Sequence, residues 1–147
     1  MGPNDAQMVR VFTREYTSPS PEIADYSFPY NKPIEIVVEA ECGDALFDTG
    51  GQFKVEVCVR DLCAFEKIKL DDGASPPGVV DSKKIDGNFG GSDWDSLKTY
   101  FLFLIPVSEL GASKEGAVCE VLATLQLGKA RPDVSFAKSN LFMIHKP

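Results

Sequence analysis

Alternation of apolar and polar residues is the feature that most restricts how this chain can fold. In the stretch QFKVEVCVR, every second residue from Phe53 to Val59 is apolar, and most residues between them are charged. Successive side chains of a β-strand point to opposite faces of its sheet. The stretch is therefore predicted to be a strand with one face in the core and one face in water.

The same period of two recurs along most of the chain. It is clear in PIEIVVEAEC (33–42) and GAVCEVLATLQLG (116–128), and weaker in QMVRVFTR (7–14). CAFEKIKL and SNLFMI supply further strand-like stretches, whereas TYFLFLIPV is apolar in both phases and predicts a central strand covered on both faces. No stretch has a convincing helical period. The chain is therefore predicted to contain about seven strands and little helix.

Short alternating strands in this number favour one fold class. We predict an all-β fold, a two-sheet antiparallel β-sandwich of immunoglobulin-like arrangement, with a jelly roll or small barrel as the alternative. The length of 147 residues fits a single domain over residues 1–147, with a long loop at residues 71–96. The predicted core consists of Ile34, Ile36, Val38, Val55, Val57, Leu102, Leu104, Val121, Ala123 and Leu125.

The composition excludes several classes of function. The formal net charge is −7, so the surface is predicted to repel phosphate backbones, and nucleic acid binding is not expected. The longest apolar run, Phe101–Val107, is far shorter than the roughly 20 residues of a spanning helix, so no membrane insertion is expected. The polar start MGPNDAQ does not resemble a secretory signal, which favours a cytoplasmic location.

The four cysteines do not form a pattern typical of a zinc site. Cys42 and Cys119 lie on predicted core faces of strands that would face each other, so a disulfide is geometrically possible, but buried thiols are favoured. Cys58 lies on the polar face of its strand. If it is exposed, its basic neighbour Arg60 is expected to lower the pKa of its thiol.

Catalytic residues are not predicted. His145 is the only histidine, and no nucleophile motif or glycine-rich phosphate loop accompanies it, so the chain is not expected to be an enzyme. Three glutamates between Glu35 and Glu41 follow one strand face. They are predicted to be solvated and paired with Lys54 or Arg60 across the sheet, rather than to perform acid–base chemistry.

The stretch DGNFGGSDWDS, residues 86–96, carries the candidate site. Phe89 and Trp94 are expected to fold back onto the sandwich and anchor the loop, helped by backbone N–H groups that donate hydrogen bonds to the carboxylates of Asp86, Asp93 and Asp95. The alternative is that the two rings are exposed and bind a sugar or a peptide. Loop oxygens of this kind also suit Ca²⁺, although the EF-hand spacing is not met. The candidate metal ligands are Asp86, Asn88, Asp93 and Asp95.

These observations predict a non-catalytic binding or interaction domain of immunoglobulin-like type, without a cofactor and with an unknown protein partner. The alternative is a calcium-dependent carbohydrate-binding module that uses the 86–96 loop and takes Ca²⁺ as its cofactor. A third hypothesis is an enzyme or an enzyme-like ligand binder with a pocket between the sheets.

Overall fold

The chain is built almost entirely from β-strands. A computed structural model describes residues 5–16, 23–128 and 133–147. Its strands are β1 (Ala6–Glu15), β2 (Ser27–Pro29), β3 (Ile34–Cys42), β4 (Gln52–Asp61), β5 (Glu66–Ile68), β6 (Leu70–Asp71), β7 (Val79–Val80), β8 (Lys83–Asn88), β9 (Lys98–Ile105), β10 (Val118–Leu127), β11 (Asp133–Lys138) and β12 (Phe142–His145). Helix α1 spans Asp44–Asp48, and 3-10 turns span Val107–Glu109 and Ala112–Lys114. The predicted all-β class is confirmed.

Two sheets enclose the core. The smaller sheet has three antiparallel strands in the order β1-β3-β9. The larger sheet has the order β2-β12-β10-β4-β5, with β11 also pairing with β10 and β8 with β4. All of its pairings are antiparallel except that of β12 with β2. Strands β6 and β7 form a small separate hairpin.

The inner faces of the two sheets form the core, largely as the alternation predicts. The predicted core residues of β3, β4 and β10 are all buried. The prediction for β9 is wrong, because Leu102 is 51% exposed and Leu104 is only partly buried. The buried residues of this strand are Phe101, Phe103 and Ile105. Strand β9 lies at the edge of the smaller sheet and has one covered face, and a stretch that is apolar in both phases does not show which phase faces inward.

The sequence suggested one long loop at residues 71–96, but the structure has strands in this segment. It contains the end of β6, all of β7 and the six-residue strand β8, which pairs with β4 from Gln52↔Asn88 to Val57↔Lys83. The sequence of β8, KKIDGN, is rich in charge and carries a glycine, so it looks like a turn. Charged residues of this kind are tolerated on an edge strand, whose outer face is wet.

The described helices are short. The longest is α1 with five residues. None of the helices in the described ranges is long and apolar enough to cross a membrane.

Candidate functional site

The two aromatic residues of the 86–96 segment are buried. Trp94 has 0% and Phe89 4% of its surface exposed. The ring centroids of Phe89 and Trp94 are 4.8 Å apart, and Phe53 and Phe101 pack against Trp94 at 5.0 and 5.6 Å in edge-on geometry. Such pairs add to the stabilisation from burial. The rings therefore anchor the segment, and the hypothesis that they form an exposed ligand platform is wrong.

The polar atom of Trp94 is buried with it. The indole Nε1 has no hydrogen-bond partner among the described residues. The nearby thiol of Cys42 is buried. Desolvation raises the pKa of this thiol, and this effect outweighs the lowering by the indole of Trp94. Cys42 therefore stays protonated at neutral pH and packs as a small apolar side chain.

Backbone groups and one amide, rather than aspartate carboxylates, hold the segment. The N–H of Phe89 donates to the carbonyl of Gly51 at 2.9 Å, and the N–H of Gly90 donates to the backbone carbonyl of Trp94 at 2.8 Å. The side-chain amide of Asn88 donates to the carbonyl of Gly50 at 2.8 Å. The expected hydrogen bonds from backbone N–H groups to the carboxylates of Asp86, Asp93 and Asp95 are not found in the part of the chain that the structure describes.

The predicted calcium ligands do not converge. Within the described ranges, no group of three or more His, Cys, Asp or Glu side chains could hold a metal ion. Asp86 and Asn88 instead line an open cleft of about 370 Å³, which we call the polar cleft. Gln52, Lys54 and Gln126 are its other long polar side chains.

The polar cleft is part of a larger surface, the outer face of the larger sheet. On this face, residues that lie directly opposite each other on neighbouring strands form rows across the sheet. The alternate residues of each strand, such as Val55 and Val57 of β4, point to the inner face and are buried. The rows are Glu120–Arg60–Lys67, Lys138–Leu122–Cys58, Phe136–Thr124–Glu56–Lys84 and Val134–Gln126–Lys54–Asp86.

A second depression crosses the same face beside the polar cleft. It has a volume of about 460 Å³. Phe136 is one of its lining residues, and 78% of the surface of Phe136 is exposed. We call this depression the outer groove. Its lining includes Cys58, Lys67, Leu122, Thr124, Phe136 and Lys138.

The thiol of Cys58 is a neutral part of this groove. Burial raises its pKa, and this effect outweighs the lowering by Lys67 and Arg60. The lowering of this pKa was expected only for an exposed thiol, and Cys58 is half-buried. Because the thiolate is the nucleophilic form, Cys58 contributes an apolar surface at neutral pH rather than a reactive group.

Several cations of this face lack a partner. Arg60, Lys67 and Lys138 make no ion pair within 4.0 Å in the described part of the chain. Glu56 is engaged at the other end of the groove, where it accepts a hydrogen bond from Ser82 at 2.8 Å and lies 3.9 Å from Lys84. The groove therefore has a cationic end.

The outer face of the smaller sheet is different. Arg14 donates to Glu35 at 2.6 Å, and the two side chains keep only 11% and 9% of their surfaces exposed. The guanidinium of Arg10 lies 3.9 Å from the ring centroid of Phe12 and 3.5 Å from Glu39. The glutamates of β3 thus pair with β1, and the expected pairing with Lys54 or Arg60 is wrong because those residues belong to the other sheet.

A buried carboxylate braces the hairpin between β4 and β5. Asp61 accepts hydrogen bonds from the N–H groups of Cys63 and Ala64 at 2.9 and 3.1 Å, and Lys114 lies 3.6 Å from its other oxygen. Burial, followed by the charge of Asp61, raises the pKa of the neighbouring Cys119 to about 12. Cys42 and Cys119 are both buried free thiols, as the alternation indicated, and Cys63 is exposed.

The sequence did contain a signal for the outer groove. Cys58 and Leu122 are apolar residues on the polar phases of β4 and β10, and the register pairs them directly. Phe136 occupies the exposed phase of β11 in the same way. Apolar residues out of phase on neighbouring strands indicate an apolar patch on a wet face, but only the register shows that the strands are neighbours.

Comparison with known proteins gives no family. No family model matches the chain, and no curated protein matches it. Among solved structures, a DUF4466 family protein from Parabacteroides merdae matches with 9% identity and a TM-score of 0.44, over 94% of this chain and 46% of its own. Spo0M, a sporulation control protein from Bacillus subtilis, matches with 8% identity and a TM-score of 0.37, over 97% and 50%. The chain spans about half the length of each.

Proposed function

We propose that this chain is a non-catalytic binding domain of immunoglobulin-like type that holds a protein partner on the outer face of its larger sheet. The strand order supports the immunoglobulin-like assignment. Strands β1, β3 and β9 correspond to A, B and E of that fold, and β4, β10 and the β11/β12 pair correspond to C, F and G.

The exposure of Phe136 is the observation that carries the proposal. Burying a ring of this class in an interface is worth roughly 1.5–3 kcal/mol. Aromatic side chains at the centre of a patch dominate many protein interfaces, especially beside a concave apolar surface. Phe136 stands on a paired strand beside the outer groove, so its position is set by the sheet before any partner arrives.

The chemistry of the face supports binding rather than catalysis. Cys58 is protonated at neutral pH because its pKa is raised. Glu56 is engaged by Ser82 and Lys84 and lies on the open face of the sheet, so it has neither a free position nor the desolvation that a general base needs.

Selection from a displayed random peptide library tests the proposal. Peptides selected on the purified full chain are expected to lose binding to Phe136→Ser and to keep it with Tyr100→Ser. Tyr100 is the matched control, because it is a half-exposed aromatic on the outer face of the smaller sheet. Selected peptides that bind both variants equally would contradict the proposal.

The polar cleft favours carbohydrate binding as a second candidate. Asp86 and Asn88 meet Gln52 and Gln126 there, and carboxylate and amide groups can hydrogen-bond sugar hydroxyls. A glycan array with Ca²⁺ and with a chelator tests this candidate. Signals that are lost in Gln126→Ala would support it, and their dependence on Ca²⁺ would decide whether a metal takes part.

A further inference from the structure

We infer that the outer groove selects an acidic peptide segment, one in which a carboxylate side chain lies two residues from a large apolar side chain, on the same face of the extended segment. The inference rests on the proposed function and adds the chemistry of the partner. The apolar side chain packs on Leu122 and Phe136, and the carboxylate binds at the cationic end, where Lys67 lines the groove and Arg60 lies directly opposite it on β4. Lys138 flanks Leu122 on the other side, on β11.

The rows of the sheet place these two subsites side by side. Lys138, Leu122 and Cys58 are directly opposite one another on β11, β10 and β4. The next pair along β4 and β5 is Arg60 and Lys67. Neighbouring strands are about 4.8 Å apart, and positions of one face about 6.6 Å apart along a strand. Two residues of one extended peptide that are two positions apart share a face, so their side chains can reach both subsites.

Arg60 and Lys67 indicate which charge the groove prefers. They are directly opposed cations on β4 and β5. Like charges in such positions destabilise a sheet. Glu120 lies opposite Arg60 on the other side but makes no ion pair with it in the described ranges. An incoming carboxylate would relieve this repulsion and could accept hydrogen bonds from both cations.

The rest of the face sets the direction of the segment. Glu56, at the far side of the groove, adds a negative charge near Ser82 and Lys84. The groove is thus cationic at the end near Arg60 and Lys67 and mixed near Glu56. A segment fits when its apolar side chain lies on Leu122 and Phe136 and its carboxylate points towards Arg60 and Lys67. When the order of the two residues in the segment is reversed, the carboxylate points towards Glu56.

The overall charge favours a peptide over larger anions. The chain carries a net charge of −7, which repels nucleic acids and anionic membranes at long range. Lys67 in the 460 Å³ groove and Arg60 opposite it act at short range only, so a partner needs the apolar contact as well as the carboxylate.

Synthetic peptide pools test the inference. Each pool is random except for a central Phe or Leu and, two positions later, Glu, Gln or Lys, with the reversed order as a second set. Binding to the full chain is measured by fluorescence polarisation at low and high salt. We expect the Glu pools of one order to bind about three- to tenfold more tightly than the Gln pools, as a few exposed ion pairs allow. This preference should weaken at high salt.

Charge variants show where the preference arises. Lys67→Glu combined with Lys138→Glu should abolish or reverse the preference for Glu, and Lys98→Glu should leave it unchanged. Lys98 is the matched control, an exposed lysine on the smaller sheet. All three lysines are exposed, so the variants are expected to fold.

The outcomes separate the two levels of the proposal. Equal binding of Glu and Gln pools, with binding still lost in Phe136→Ser, would overturn the acidic preference and leave the proposed function standing. Absence of any binding that depends on Phe136 would overturn both. Binding to phosphatidylserine vesicles that requires Lys67 and Lys138, without peptide binding, would overturn the inference in favour of a membrane surface.

Discussion

The two outer faces of the sandwich differ in how their polar groups are satisfied. On the smaller sheet, Arg14 and Glu35 form a nearly buried pair, and Arg10 covers the ring of Phe12, which is only 1% exposed. On the larger sheet, Phe136 is 78% exposed, and Lys67 has no ion-pair partner in the described part of the chain. On the smaller sheet, the part of the face over β1 and β3 is closed by its own side chains, although Tyr100 and Leu102 of β9 stay half-exposed. The larger sheet leaves the ring of Phe136 and the charge of Lys67 in water.

This difference bears on the proposed function, which assigns binding to the larger sheet. A charge and a ring that satisfy each other contribute to folding but offer little to a partner. A ring and a charge that stay exposed contribute little to folding and keep their interaction energy for binding. The following predictions measure the two contributions separately.

Trp94→Ala should have the largest effect and sets the scale for a ring in the shared core. Truncating a fully buried aromatic costs about 3–5 kcal/mol, and Trp94 has 0% of its surface exposed. Denaturant unfolding of the variant measures the loss. A loss below about 1 kcal/mol would show that the 86–96 segment is held without its ring.

The wild type also tests the calcium alternative. Melting with Ca²⁺ and with a chelator should give the same midpoint. A site that binds Ca²⁺ and is saturated at 100 times its dissociation constant would stabilise the native state by roughly 2.7 kcal/mol. An upward shift with Ca²⁺ would make the aspartates of the segment a metal site despite their separation.

Phe12→Ala and Phe136→Ala compare the two faces directly. Phe12 is buried outside the central core, so its truncation should cost about 3 kcal/mol, the low end for a buried ring. Phe136→Ala should change the free energy of unfolding by about 0.5 kcal/mol or less. Equal losses in denaturant unfolding would remove the distinction between a closed and an open face.

Arg14→Ala and Lys67→Ala make the same comparison for charge. Removing Arg14 leaves the carboxylate of Glu35 buried without its partner, which should cost about 1–3 kcal/mol. Lys67→Ala should be neutral within about 0.5 kcal/mol or slightly stabilising, because it removes repulsion with Arg60. Destabilisation by Lys67→Ala comparable to that by Arg14→Ala would contradict the open character of the larger sheet.

Alkaline pH should weaken the interior before it affects either face. The thiol of Cys119 has a native pKa of about 12 against an ordinary value of 9.0. The native state therefore keeps its proton while the unfolded chain loses it. The contribution of this thiol is complete below pH 9 and is lost as pH rises from about 9 towards 12.

Unfolding free energies measured from about pH 8 to about pH 10 should fall in the wild type. The fall should be smaller in Cys119→Ala, which has no thiol to ionise. Identical slopes would show that this thiol is not buried as a neutral group.

Thiol reactivity gives the smallest effect and distinguishes depth within the larger sheet. Iodoacetamide at mildly alkaline pH should modify exposed Cys63 first and Cys58 more slowly, because burial raises the pKa of Cys58. Cys42 and Cys119 should react only after unfolding. Mass analysis of peptides over time measures the order, and rapid modification of Cys58 would indicate a groove with a thiolate.

The sequence predicted correctly which residues face the core in strands that alternate between apolar and polar residues. The prediction failed in β9, where both phases are apolar. Val55 was placed correctly because its neighbours Lys54 and Glu56 are charged. Leu102 was misplaced because its neighbours Phe101 and Phe103 are equally apolar, and only packing against the opposite sheet decides between them.

The candidate site was predicted less well. Burial of Trp94 followed from its size, but the outer groove depends on which strands become neighbours. Phe136 and Leu122 are separated by fourteen positions, and the register that brings their strands together arises from the whole sheet.

The position of Trp94 also allows a distance within the molecule to be measured by fluorescence energy transfer. It is the only tryptophan, and it contacts Phe53 near the start of β4, whereas exposed Cys63 follows the end of the same strand. A strand of ten residues spans about 30 Å. An acceptor dye attached to Cys63 would therefore stand at the opposite end of the sandwich from its natural donor. Energy transfer between them would report the extension of β4 in each molecule, and the dye would also lie next to Arg60 and Lys67, where a bound peptide would change its emission.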